Sequence, residues 1–157
     1  MEIVATFVPG SPRREAEDLR HPPEGATAVE LRADLLGNEP NLAPLVAASP
    51  LPVVVTLRSH AEGGERPDDP PTRRRFFQKT ASLPVALFDL ESGRDRELVG
   101  SVIPRERVIL SAHFSGGVSP EVERQAEAML SVGTRFIKVV PRATSASGFS
   151  GSWFRTR

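Results

Sequence analysis

Cysteine is absent from this 157-residue chain, which excludes disulfide frameworks and thiolate metal sites. Histidine is scarce. The three that occur show no His-x-x-x-His spacing, so no metal centre is expected. Charge of one sign is lacking too: 20 basic and 20 acidic residues leave no field to draw the chain to nucleic acid or an anionic membrane. No apolar run approaches the roughly 20 residues of a membrane-spanning helix. The start, MEIVATFVPG, has no charged leader followed by a long apolar stretch and a small-residue cleavage site. Both absences point to the cytoplasm.

What is present fits a globular domain large enough to bury a core: 39% hydrophobic and 25% charged residues. Fifteen prolines fall mostly between apolar runs, where they shape loops. The pattern predicts strands over Ile3–Val8, Ala28–Leu35, Leu51–Ser59, Pro84–Leu90, Arg107–Ala112 and Arg135–Val140. It predicts helices over Pro12–Leu19, Leu42–Ala48, Thr72–Ser82, Gly93–Val99 and Pro120–Val132. Ser119 and Pro120 open the last of these as N-cap and first helical residue. Residues 66–71 read as a loop or lid, and the Arg73-Arg74-Arg75 run as a solvated helix face. Strand alternating with helix implies parallel strands joined by right-handed crossovers. An open doubly wound sheet is the other architecture with this order, but no Gly-rich phosphate fingerprint follows the first strand.

Two apolar runs each carry one reactive side chain: His113 in RVILSAHFS and Lys138 in RFIKVVP. As neighbouring parallel strands they would present both to one substrate. The strand AVELRADL alternates Val29, Leu31 and Ala33 with Glu30, Arg32 and Asp34. On a surface strand the charged face would be wet. In a parallel barrel both faces are covered, and the charges would need partners and would line a polar site. Plainer readings exist for each: a lone histidine at a strand end is usually structural, and a lysine in an apolar run often snorkels to water.

Taken together, Glu30-Leu-Arg-Ala-Asp34, Thr56-Leu-Arg-Ser59, Glu62-Gly-Gly-Glu65, Ser111-Ala-His113 and Ile137-Lys138 resemble type I 3-dehydroquinate dehydratase in order and spacing. The resemblance implies a (β/α)8 TIM-barrel fold, here an incomplete barrel of about six β/α units over residues 1–142, followed by an irregular Ser/Gly-rich tail over 143–157. After Pro141 the family continues with two more units, whereas this chain stops after Arg157, so a C-terminal truncation is expected. Strands one and six would then be open edges. One further difference lies in the fifth loop, where Phe114 follows His113 directly and the family usually has an Asp or Asn between them.

By that resemblance the reaction is a cofactor-independent, Schiff-base elimination of water from 3-dehydroquinate, giving 3-dehydroshikimate in the shikimate pathway to aromatic amino acids. Lys138 would form the imine, His113 would transfer the proton and Glu62 would orient His113. Glu30, Arg32, Arg58 and Thr6 would contact the substrate. The chemistry suits those residue types. A protonated imine is a better electron sink than a ketone, and histidine exchanges protons near neutral pH. Burial between Ile137 and Val139 would favour the neutral amine that attacks. Apart from the substrate the implied partners are few: a homodimer is left open, and no metal, organic cofactor, nucleic acid or membrane is expected. An inactive fragment, a non-catalytic binding or regulatory relative, and another Schiff-base lyase on the same fold remain as alternatives.

Overall fold

The computed structural model describes residues 3–8, 12–37, 40–66, 69–142 and 152–155. The chain divides into two compact units, Met1–Phe88 and Asp89–Arg157, with the boundary inside strand β4.

The first unit runs β1 (Val4–Phe7), α1 (Pro12–Arg20), β2 (Ala28–Arg32), α2 (Ala43–Ala48), β3 (Val53–Thr56), α3 (Pro70–Thr80) and the start of β4 (Leu87–Glu91). β1, β2 and β3 are parallel neighbours, with Thr6 opposite Glu30 and Arg32 opposite Thr56. β3 is Val-Val-Val-Thr with every residue buried. Burying each valine contributes about 1.5–3 kcal/mol, and branched side chains suit a covered strand. The alternation in β2 does not produce a wet face: Glu30 and Asp34 are buried along with Val29, Leu31 and Ala33. The strand also ends earlier than its sequence suggests. Ala33–Leu35 form a 3-10 turn, which carries Asp34 back toward Arg32.

The loop before α3 is shorter than expected, because Asp69 caps the helix by accepting from the Thr72 N–H at 2.9 Å and Pro70 and Pro71 fill its first turn. Inside α3 the arginine run is not uniformly solvated. Arg73 is buried and donates from Nη2 to the Leu57 carbonyl at 2.9 Å. Four residues on, Phe77 packs edge-on against Phe88 with ring centroids 6.3 Å apart.

The second unit holds the remainder of β4, then β5 (Val108–His113), α4 (Pro120–Leu130), β6 (Phe136–Val140) and β7 (Ser152–Arg155). Gly93–Val99 is not the helix expected of it; turns lead into a single 3-10 turn at Arg96–Leu98. Buried Asp95 explains the turn, since its carboxylate accepts from the Glu91 N–H at 2.9 Å and folds the segment on itself. α4 is capped by the Ser119 side chain and buries Val122 and Met129. β5 and β6 are parallel, with Ser111 opposite Lys138 and His113 opposite Val140.

β6 is not an open edge. β7 pairs with it antiparallel, Ile137 opposite Phe154 and Lys138 opposite Trp153, so part of the Ser/Gly-rich segment is strand; its residues 143–151 and 156–157 lie outside the described ones. In each unit the hydrogen-bonded strand order is the order of the chain.

Candidate active site

Five of the seven residues singled out in the sequence belong to the first unit. Glu30 is gripped from both neighbouring strands. It accepts from Thr6 Oγ1 at 2.7 Å and from Thr56 Oγ1 at 2.6 Å. The parallel register makes this possible, because it sets Thr6 directly across from Glu30. Thr6 is thus a support for the carboxylate. Arg32 forms a two-pronged pair with Asp34, Nε to Oδ1 at 2.8 Å and Nη2 to Oδ2 at 2.6 Å. Asp34 also accepts from the Glu65 N–H at 3.3 Å. Burial by itself would raise the Asp34 carboxyl, but the hydrogen bonds and charge of Arg32 outweigh it and hold the group below the usual carboxylate range. The same pairing raises the Arg32 guanidinium.

Arg58 leaves β3 and meets Glu62 at 3.0 Å, both side chains being nearly buried at 5% and 8% exposure. The turn between them is tight. Gly64 donates to the Ser59 carbonyl at 2.7 Å and Arg66 to the Arg58 carbonyl at 3.2 Å. A Cβ at Gly64 would lie 2.3 Å from the Arg58 carbonyl oxygen, so glycine is required there. Nearby, burial depresses the Arg66 guanidinium. The first unit therefore presents one anchored carboxylate, Glu30, and two guanidinium groups whose carboxylate partners fix their direction. Such a set can hold a polyhydroxylated carboxylate.

The second unit carries His113 and Lys138. Alternation along β5 puts Ser111 and His113 on one face, and Lys138 stands across from Ser111. His113, half-buried, lies two residues further along the strand direction, roughly 6–7 Å at the usual rise per residue. Lys138 Nζ reaches Asp89 Oδ2 at 3.3 Å, with the lysine side chain 13% exposed and the aspartate fully buried. Ser111 Oγ donates to the other oxygen, Asp89 Oδ1, at 2.5 Å. The surroundings of Lys138 are therefore not purely apolar, because a buried carboxylate stands against the amine. Asp89 lies near the end of the strand predicted over Pro84–Leu90 and Ser111 opens the Ser-Ala-His motif, but nothing in the sequence gives either a role. A carboxylate near the end of an apolar strand, two strands before that of the lysine, was the available signal.

Among the described residues no group of three or more His, Cys, Asp or Glu is placed to hold a metal ion, and no helix is long and apolar enough to cross a membrane.

The sequence model of the family Type I 3-dehydroquinase matches residues 4–148, nearly the whole chain. The chain belongs to the type I 3-dehydroquinase family. Among curated proteins, a 3-dehydroquinate dehydratase of Dehalococcoides mccartyi is 31% identical over 135 residues, covering 83% of this chain and 60% of its own length. A pentafunctional AROM polypeptide of Komagataella phaffii is 32% identical over 135 residues, 77% of this chain and 9% of that protein. A solved type I 3-dehydroquinate dehydratase of Clostridium difficile superposes with a TM-score of 0.73 at 21% identity, covering 88% of this chain and 61% of that one. The 3-dehydroquinate dehydratase of Enterococcus faecalis gives 0.74 at 17% identity, covering 88% of this chain and 65% of its own. The dehydroquinase fold is thereby shown: α/β, an incomplete TIM barrel contributing six β/α strands, as the resemblance implied. This member of the dehydroquinase family spans about 60% of the length of the Dehalococcoides relative.

Proposed function

We propose that this protein is a 3-dehydroquinate dehydratase, a hydro-lyase of the shikimate pathway that works through a Schiff base on Lys138 without metal or organic cofactor. The observation that carries the reading is the pairing of β5 with β6, which sets Lys138 and His113 on adjacent strands with Asp89 against the amine. Family membership and the names of the relatives support it.

In this reading the Lys138 amine adds to the ketone carbon of 3-dehydroquinate and water leaves, forming an iminium ion. His113 removes a proton from the adjacent carbon, and the electron pair moves into the iminium nitrogen. The neighbouring hydroxyl then departs with a proton delivered by His113, which returns the histidine to its starting state. Hydrolysis of the imine releases 3-dehydroshikimate and restores Lys138, so the net change is loss of one water. The Glu-Gly-Gly-Glu motif gives Glu62 the role of orienting His113 by family resemblance. Glu30, Arg32 and Arg58 hold the substrate's hydroxyl and carboxylate groups, and Thr6 and Thr56 keep Glu30 aimed. The same reading takes the protein to be cytoplasmic and leaves a homodimer open.

A non-catalytic binding relative is the second reading, favoured by β7 standing antiparallel at the β6 edge. One experiment separates the two. The purified chain is treated with borohydride in the presence of 3-dehydroshikimate and its peptides are weighed. The catalytic reading expects an adduct on Lys138, and none on Lys79, the only other lysine. An adduct confined to Lys79, or none at all, removes it. Dehydration is followed in parallel by the ultraviolet absorbance of the conjugated product. The His113→Ala variant should lose dehydration while the adduct persists, and Glu62→Gln should lose less than His113→Ala.

A further inference from the structure

The Asp89 carboxylate divides its two oxygens unequally. Oδ1 takes the Ser111 hydroxyl at 2.5 Å, while Oδ2 stands 3.3 Å from the Lys138 nitrogen. A charge-assisted bond between ammonium and carboxylate normally settles near 2.7–2.9 Å. Here the short bond goes to the neutral hydroxyl and the long one to the cation. The three groups are fixed by backbone register. Ser111 is opposite Lys138 across β5 and β6, and the Ser92 N–H donates to the Ser111 carbonyl at 2.8 Å, tying β5 to the end of β4. Both Ser111 and Asp89 are fully buried, so no bulk water competes for the carboxylate.

From this geometry we infer that Ser111 is a positioning residue that holds the Asp89 carboxylate back from Lys138, so that the amine has an anionic neighbour without being locked to it. The argument is electrostatic. A hydroxyl donating into a carboxylate draws off part of its charge and fixes its rotation. Without the hydroxyl, that constraint on the carboxylate's rotation is lost, and a closer contact with Lys138 would lower the amine's reactivity toward an electrophile. Ser111 acts on Lys138 only through Asp89. This inference deepens the Schiff-base reading of Lys138 and rests on it for its meaning, but its geometry and its test do not require the chain to turn over substrate.

The test is competitive labelling with a trace of acetic anhydride at one fixed pH, comparing acetylation of Lys138 with that of Lys79 in the same molecules. Lys79 is exposed on α3 and serves as the internal standard. The expected Lys138:Lys79 ratio falls about 3- to 10-fold in Ser111→Ala, the size of the net contribution of one ordinary hydrogen bond. Ser111→Thr, which keeps the hydroxyl, restores the ratio. Asp89→Asn raises it above wild type, because the anion is gone, and adding Ser111→Ala to Asp89→Asn then changes nothing further. If Ser111→Ala does not fold, Ser111→Cys, whose thiol is a weak donor of similar size, should show the same direction of change. A purely structural serine would lower the melting temperature and leave the ratio alone; an unchanged or increased ratio in a folded Ser111 variant overturns the inference. So does an equal effect of Ser111→Ala with and without Asp89. Failure of borohydride trapping in the wild type, with the labelling pattern intact, would count against the dehydratase reading and leave this one standing.

Discussion

Replacing Gly64 by alanine should be among the most damaging single-methyl additions in the first unit. The added Cβ would sit 2.3 Å from the Arg58 carbonyl oxygen, 2.5 Å from its carbon and 2.5 Å from the Arg58 Cβ. These neighbours are backbone or directly attached to it, so they cannot swing aside as a side-chain tip would. Relief requires opening the turn that holds Gly64 N–H on the Ser59 carbonyl at 2.7 Å. Overpacking typically costs about 1–3 kcal/mol, and an immovable neighbour puts this case near 3. At roughly 2–4 °C per kcal/mol for a chain of this size, the melting temperature should fall by about 6–12 °C. Two glycines calibrate the result. Gly63 has φ of 81° with nothing near its missing Cβ, so alanine there suffers only the left-handed backbone, about 1–2 kcal/mol. Gly93 has open space and no such φ, so alanine should be neutral or slightly stabilising. Urea unfolding of the three variants beside the wild type, with m-values compared, gives the order. A Gly64→Ala midpoint within about 0.5 kcal/mol of Gly93→Ala would refute the reasoning.

Arg73→Ala should destabilise by about 2–3 kcal/mol, since it strips a buried donor from the Leu57 carbonyl, whereas Arg75→Ala on the exposed side of α3 should stay within about 0.5 kcal/mol; chemical denaturation measures both. Asp34 carries a pH signature. Because its folded carboxyl lies below the unfolded value of about 3.9, its stabilising effect is fully present above that value and is lost as pH falls through the folded one. The stability difference between wild type and Asp34→Asn, measured by urea titration, should therefore be flat from about pH 5 upward and shrink below about pH 4. Removing residues 152–157 should uncover β6 with its Phe136, Ile137 and Val139 and convert the protein to larger species on size exclusion.

Most strands could be read because their apolar runs are bounded by proline, glycine or charge, and β3 is the clearest case. The site residues came from motif order, and the structure gives each of the seven a place on or beside a strand. What stayed hidden depends on partners far apart in the chain. The Arg73-Arg74-Arg75 run gives no sign that one of three identical side chains turns inward; only the position of Leu57 against α3 decides it. Glu30 reads as one charge among three, and its two threonine donors lie 24 and 26 residues away. Gly93–Val99 has helical composition, but the buried Asp95 carboxylate spends its hydrogen bond on a nearby backbone N–H and closes a turn instead. Ser152–Arg155 has no period long enough to announce a strand, and β6 supplies the template.

The direction of β7 sets a rule of exclusion at β6. A strand edge can satisfy one partner's N–H and C=O groups at a time, so four residues running antiparallel and any parallel β/α neighbour are rivals for the same backbone. A parallel strand forming more ladder bonds than β7 would win the exchange residue by residue. Occupancy of this edge is therefore a competition whose outcome is set by ladder length.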